Sequence, residues 1–266
     1  MGSMVQITLP DYAKQTILDF IKDFVKDKKV VVGLSGGLDS SVVAKLCVMA
    51  LGKEKVLGVH MPDKITPKED TEDAKLLAEA LGIEYRIIPI DNHIENLKNT
   101  LKLQDDMSIA NLKVRLRMLI LYAIANEEKR LVAGTSNKSE LLVGYFTKYG
   151  DGASDFAPIG DLYKTQVKLL AGKIGIPEKL IKKIPRAGLL RGQTDEGEMG
   201  IDYATLDRIL ASMELGFPAE RVSTMLKIPK NVVDRVYEMH EKSRHKRIML
   251  YIPKIGIKTV NTDWRE

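Results

Sequence analysis

Apolar residues recur at two different periods along the first half of the chain, and the switches between them predict alternating helices and strands. From Asp11 to Lys26, residues Ile17, Leu18, Phe20, Ile21, Phe24 and Val25 fall at helical spacing among lysines and aspartates, which predicts an amphipathic packing helix. Val30-Val31-Val32 follows as a short β-branched run, predicting a buried strand that empties into glycines and then a helix ending near Leu51. Gly52 stops that helix, and Lys55 to His60 predicts a second strand. Thr66 and Pro67 offer a cap and a first-turn residue for a helix continued by Ala74, Leu76, Leu77, Ala80 and Leu81. Gly82 ends it, and Glu84 to Ile90 predicts a third strand.

Beyond these, Ile109 to Ala125 predicts a longer helix with Leu112, Leu116, Leu119, Ile120 and Ala123 on one apolar face. Arg130 to Gly134 predicts a fourth strand, which turns through Thr135-Ser136-Asn137-Lys138-Ser139-Glu140 into another helix. Leu162 to Val167 starts one more, and short helices are predicted to Met213, to Met225 and over Asn231 to Lys242. Strands alternating with helices predict a doubly wound parallel sheet, a Rossmann-like α/β fold with a helical C-terminal part. Ligands on such sheets lie at the carboxyl ends of the strands. A length of 266 residues without internal repeats is read as a single domain over 1–266.

Composition narrows the class. Apolar content of 44% and charged content of 29% are ordinary for a soluble protein, and no apolar run is long enough to span a bilayer, so no membrane partner is expected. Met1-Gly2-Ser3 ahead of a second methionine, Met4, reads as an expression remnant without a leader behind it, which predicts a cytoplasmic location. Cys47 is the only cysteine and lies in an apolar helix, which predicts a buried structural thiol rather than a disulfide or a metal cluster. A net charge of +5 and a pI near 9.0 suit nucleic acid, a pocket for several phosphates, or a lysine-rich surface. No segment interleaves basic and aromatic residues as a stacking platform does, so no nucleic-acid partner is expected.

The richest chemistry sits between the first strand and its helix, in Gly33-Leu34-Ser35-Gly36-Gly37-Leu38-Asp39-Ser40-Ser41. A strand entering a helix through adjacent glycines leaves backbone N–H groups converging on one spot, with the positive end of the helix dipole behind them. Such a spot binds phosphate. Ser35, Ser40 and Ser41 add hydroxyls, whereas Asp39 suits an anion nest only if a cation such as Mg²⁺ lies between it and the phosphates. Neither the Walker spacing nor the dinucleotide fingerprint is met.

Other polar stretches add candidates. Lys113, Arg115 and Arg117 on the long helix form either a solvated basic face or a grip on ligand phosphate or carboxylate. Glu140 opens a helix at the end of a parallel strand, where it offsets the helix dipole or faces Asp39 across a Mg²⁺ site. Gly144 to Asp155 carries Lys148, Asp151 and Asp155 among glycines, with Lys164 beyond, and looks like a ligand-contacting loop. Pro185 to Gly197 is a further glycine-rich segment, expected to be mobile, and Ser243 to Arg247 is a basic run.

The Ser-Gly-Gly-x-Asp-Ser loop resembles that of the N-type ATP pyrophosphatases, which implies the adenine nucleotide alpha hydrolase-like form of this fold. Gly134-Thr-x-Asn-x-Ser-Glu140, Thr147-Lys-Tyr-Gly-Asp-Gly152, Gly192-Gln-Thr-Asp-Glu196 and His245-Lys-Arg247 narrow the resemblance to the ammonia-dependent NAD synthetases, over nearly the whole chain. The resemblance implies ATP-dependent amidation of deamido-NAD by ammonia through an adenylate, releasing AMP and pyrophosphate. It puts ATP on Gly33, Leu34, Ser35, Gly36, Gly37, Leu38, Asp39, Ser40, Thr135 and Lys164, and Mg²⁺ on Asp39 and Glu140, with Asp39, Glu140 and Lys164 catalytic. It puts deamido-NAD on Arg115, Lys148, Asp155, His245 and Lys246. It also implies a homodimer with the Ile109 to Ala125 helix facing the partner, and free ammonia as nitrogen donor. The pattern breaks at Arg186, where the family usually has a Ser or Thr that contacts ATP. A tRNA-modifying ATP pyrophosphatase and a non-catalytic nucleotide sensor are the competing readings.

Overall fold

The computed structural model describes residues 5–186, 194–248 and 250–260. Four parallel strands, β1 (Lys29–Gly33), β2 (Val56–His60), β3 (Glu84–Ile87) and β4 (Arg130–Ala133), form one sheet in the order β3-β2-β1-β4. In register, Val31 lies beside Leu57 on one side and Val132 on the other. Strands buried on both faces need apolar residues at every position. Val30, Val31 and Val32 are all fully buried for that reason.

The two faces hold different helices. Val30 and Val32 point into a core shared with α1 (Ala13–Val25), α2 (Leu38–Leu51), α3 (Lys68–Leu81), α7 (Lys164–Lys173) and α8 (Glu178–Ile181). Val31, Leu57, Val59 and Val132 point the other way, toward α4 (Asp91–Leu101) and α5 (Asp106–Glu127). A third core joins α6 (Lys138–Val143) and α9 (Asp195–Met199) to α10 (Tyr203–Glu214), α11 (Ala219–Leu226) and α12 (Lys230–Lys242), followed by the short α13 (Arg244–Arg247). The sheet is thus doubly wound, with a helical C-terminal part as predicted. Among the described residues no helix is long and apolar enough to cross a membrane.

Several boundaries differ from the sequence reading. Thr66 does not cap α3: the N-cap is Pro67, and the Thr66 hydroxyl donates to the Asp63 carboxylate 2.9 Å away. β3 stops at Ile87, and Ile90 is already the N-cap of α4, a helix with no predicted counterpart. α5 extends past both predicted ends, and Leu119, assigned to its apolar face, is 59% exposed. Cys47 is buried as expected, and burial pushes its thiol up to about 12.

Strand order reverses between β1 and β4, because the chain after β1 crosses one face and the chain entering β4 comes from the other. A crevice opens at the carboxyl ends of strands at such a point. Both candidate loops, Gly33 to Ser40 and Gly134 to Glu140, empty into it.

Candidate active site

The loop after β1 is braced from below and from the side. Leu34 N–H donates to the Val59 carbonyl at 2.8 Å, extending the sheet by one bond. Gly36 adopts φ +78°, and a Cβ there would lie 2.1 Å from the Asp70 carbonyl oxygen, so conformation and space both demand glycine. The Ser35 and Ser40 hydroxyls are 3.0 Å apart, Gly37 N–H donates to Ser35 Oγ, and Ser41 Oγ donates to the Gly37 carbonyl at 2.6 Å. α2 has Gly37 as its N-cap, which carries no side chain to cap it. Its dipole and first N–H groups therefore point into the crevice.

Across from this loop, Asn137 and Glu140 form a reciprocal capping box at the start of α6, so one Glu140 oxygen accepts from Asn137 N–H at 3.2 Å. The other oxygen lies 3.8 Å from Lys164 Nζ. Lys164, 2% exposed, donates to Asp39 Oδ2 and sits 5.2 Å above the Tyr203 ring. Among the described residues Asp39 Oδ1 is buried with no hydrogen-bond partner. Asp195 stands behind, accepting from the hydroxyls of Tyr203 at 3.2 Å and Tyr145 at 3.3 Å.

Electrostatics follow from this crowding. Burial and the neighbouring Asp39 push Glu140 up to about 8. Burial works against the charge of Lys164, but Asp39 and Glu140 outweigh it and hold the ammonium above its ordinary range. Burial also raises Asp195, with Lys164 opposing. Among the described residues one lysine faces three carboxylates here, and burial beside these neighbours makes Glu140 and Asp195 hold their protons to higher pH. No group of three or more ligating side chains is assembled for a metal among the described residues. Two carboxylates, one with an unpartnered oxygen, fit Mg²⁺, which takes one or two carboxylates and completes its shell with water and phosphate oxygens.

A cavity of about 310 Å³ joins these groups to Gly33, Leu34, Ser35, Gly37, Leu38, Ser40 and Thr135, bringing together most of the residues assigned to ATP. Gly36 is the exception, its carbonyl accepting instead from Lys183 at 2.8 Å. The cavity also contains His60, which the sequence reading passed over, and Arg117 and Arg186, which it named without assigning to ATP. His60 is buried, with Nδ1 donating to the Leu34 carbonyl at 2.7 Å and Nε2 facing Thr71 Oγ1 at 2.9 Å; burial lowers its pKa, so the ring is a neutral strut. Arg117 lines the wall, its Nε donating to the Met61 carbonyl at 3.0 Å, while Lys113 pairs with the buried Asp63 at 2.7 Å. The four-residue spacing of Lys113 and Arg117 put them on one helix face, the only signal available beforehand. Arg186 turns into the cavity and donates to Asp70 at 3.0 Å.

The residues assigned to deamido-NAD gather elsewhere. Arg115 Nε donates to the Lys148 carbonyl at 3.3 Å, Lys148 Nζ to the His245 carbonyl at 2.6 Å, and Lys246 Nζ to the carbonyls of Gly144 and Phe146 at 2.6 and 2.7 Å. These four form one basic patch around the 144–152 turns, outside the cavity wall. Asp155 is apart from them, accepting from Val132 N–H at 2.7 Å and from the Tyr122 hydroxyl at 3.3 Å. Asp151 does line the cavity, its carboxylate accepting from Thr147 N–H at 2.7 Å. Residues 187–193, the glycine-rich stretch expected to be mobile, lie outside the described residues; from Asp195 that stretch is helical.

The family model for NAD synthase matches residues 13–249. The chain belongs to the NAD synthase family. Its relatives include the NH(3)-dependent NAD(+) synthetases of Pyrococcus horikoshii, 51% identical over 89% of this chain and 93% of that one, and of Archaeoglobus fulgidus, 49% identical over 91% and 96%. Among solved structures of NAD synthase-like proteins, the NMN synthetase of Francisella tularensis superposes with a TM-score of 0.82 at 34% identity, covering 94% of this chain and all of that one. The NH3-dependent NAD synthetase of Campylobacter jejuni superposes at 0.77, also at 34% identity, over 91% and 97%.

Proposed function

We propose that this chain is an ammonia-dependent ligase that converts deamido-NAD to NAD, consuming ATP and releasing AMP and pyrophosphate. Membership of the NAD synthase family supports the reaction, and the observation that carries the site is the buried, unpartnered Asp39 oxygen beside a glycine loop at the sheet's switch point.

In this reading the loop N–H groups, the α2 dipole and the serine hydroxyls hold the ATP phosphates in the crevice. Asp39 and Glu140 would hold Mg²⁺, which neutralises charge on the phosphate oxygens when bound. Lys164 stays protonated between them and counters the negative charge that builds as pyrophosphate leaves. The nicotinate carboxylate of the substrate attacks the α-phosphorus, and ammonia then displaces AMP, so no protein nucleophile is needed. Orientation supplies the remaining advantage. The patch around Arg115, Lys148 and Lys246, with His245 beside them, offers cations to the anionic dinucleotide, in a subunit whose α5 exposes Met107 and Leu119. Those exposed residues support a homodimer through α5, which light scattering would test.

The deciding experiment incubates the protein with ATP, Mg²⁺ and either deamido-NAD or nicotinic acid mononucleotide, with ammonium or glutamine, and resolves the nucleotides by chromatography. NAD and AMP formed in equal amounts from deamido-NAD and ammonium is the expected result. Amide formed only from the mononucleotide would favour the activity of the Francisella tularensis protein instead, and ATP cleavage without either acid would refute both.

A further inference from the structure

Lys164 is not the only ammonium at the glycine loop. Lys183, whose side chain is 11% exposed, donates to the Gly36 carbonyl at 2.8 Å and lines the same cavity. Its other contacts are carboxylates of α3: Asp70 at 2.8 Å, and the buried Asp73. Asp73 is independently held by Lys179 at 2.8 Å, and Asp70 Oδ1 is independently held by Arg186 at 3.0 Å. Each carboxylate that pairs with Lys183 therefore has a second cation beside it, although Lys179 is shared with Glu69 at 3.3 Å. Of this cluster Asp70, Lys183 and Arg186 line the cavity, and among the described residues its cations Lys179, Lys183 and Arg186 are matched by the carboxylates Glu69, Asp70 and Asp73.

We propose that Lys183 is a second phosphate-binding cation of the site, gripping the two phosphates that depart as pyrophosphate, and that Arg186 is the positioning residue that frees it. When Lys183 turns from Asp70 to a phosphate oxygen, Asp70 stays neutralised by Arg186 and no carboxylate is left buried and bare. The Gly36 carbonyl contact already holds the ammonium at the loop whose N–H groups bind phosphate, so the movement required is a rotation of a flexible side chain. Lys164, held at Asp39, and Lys183, held at Gly36, would then both contact the polyphosphate. Arg186, where the sequence resemblance failed, gains a task that a hydroxyl residue could not perform.

The inference rests on the proposed ATP chemistry, so its test is made independent of turnover. Inorganic pyrophosphate with Mg²⁺ is titrated calorimetrically into the intact protein and into Lys183→Met, Lys183→Arg and Arg186→Ser, alongside ATP and deamido-NAD. Lys183→Met is expected to weaken pyrophosphate roughly ten- to hundred-fold, the loss of one charge-assisted contact, with ATP weakened and deamido-NAD unchanged. Lys183→Arg should recover most of that loss, and Arg186→Ser should weaken pyrophosphate by a smaller factor while the protein stays folded. If Lys183 only ties α3 to α8, Lys183→Met lowers the melting temperature and leaves pyrophosphate affinity of the folded protein unchanged, which overturns the proposal. NAD formation by the unaltered protein is measured in parallel. Its absence would refute the proposed reaction without bearing on the pyrophosphate titrations.

Discussion

Replacing Glu140 by glutamine should make the protein more stable while abolishing its chemistry. The Glu140 side chain is 15% exposed and titrates near 8 in the folded protein against an ordinary 4.5. The folded state therefore binds more protons than the unfolded chain between those two values. Stability from this group is highest below about pH 4.5, falls as pH rises through the window, and levels off above about 8. At pH 7 the accumulated cost is about 3 kcal/mol. Glutamine keeps an acceptor for Asn137 N–H and carries no charge to suppress, so it should recover much of this. The weakened contact to Lys164 takes some back, leaving a net gain of about 1–3 kcal/mol, or roughly 2–6 °C in Tm. Burial raises Asp151, Asp195 and Asp207 in the same direction, and these act alike in both proteins. Urea unfolding at pH 5.5, 7 and 8.5, without nucleotide or metal, should show the two stability curves diverging with rising pH. A constant gap between them, or a glutamine variant less stable at pH 7, would refute the reasoning.

Three further outcomes are expected. Asp39→Ala should lower AMP formation by roughly a hundred-fold or more, since it removes both the unpartnered oxygen and the Lys164 partner; unchanged AMP formation would sink the metal assignment. Lys148→Ala should raise KM for deamido-NAD about ten-fold with little change for ATP, because Lys148 lies in the basic patch outside the cavity, and equal effects on both substrates would count against that separation. Gly36→Ala should cost about 2–4 kcal/mol by urea unfolding, from the positive φ and the Asp70 carbonyl 2.1 Å from the added carbon; a neutral effect would show that the loop has room to shift.

Local chemistry made much of this protein legible before its structure. The run Val30 to Val32 announced a strand buried on both faces, and the glycines after it announced a turn that places N–H groups at a helix start, because both depend on neighbours in the chain. Asp39 stood out as a carboxylate in an anion nest, and Glu140 as a carboxylate at the end of a parallel strand. That Glu140 could face the Asp39 loop followed once the strands were taken as one parallel sheet, whereas the place of Lys164 between them did not.

Tertiary structure decided what no spacing encodes. Thr66 carried the signal of a helix cap, yet its hydroxyl went to Asp63, where the chain turns before α3. Arg117 read equally as part of a solvated face or a ligand grip, Lys183 carried no signal of its own, and only the packing of α5, α3 and α8 around the crevice turned them onto cavity walls. The capacity of each lysine to bind phosphate was written in the sequence. Which lysines reach the loop was set by the order β3-β2-β1-β4, whose reversal beside β1 opens the crevice into which they point.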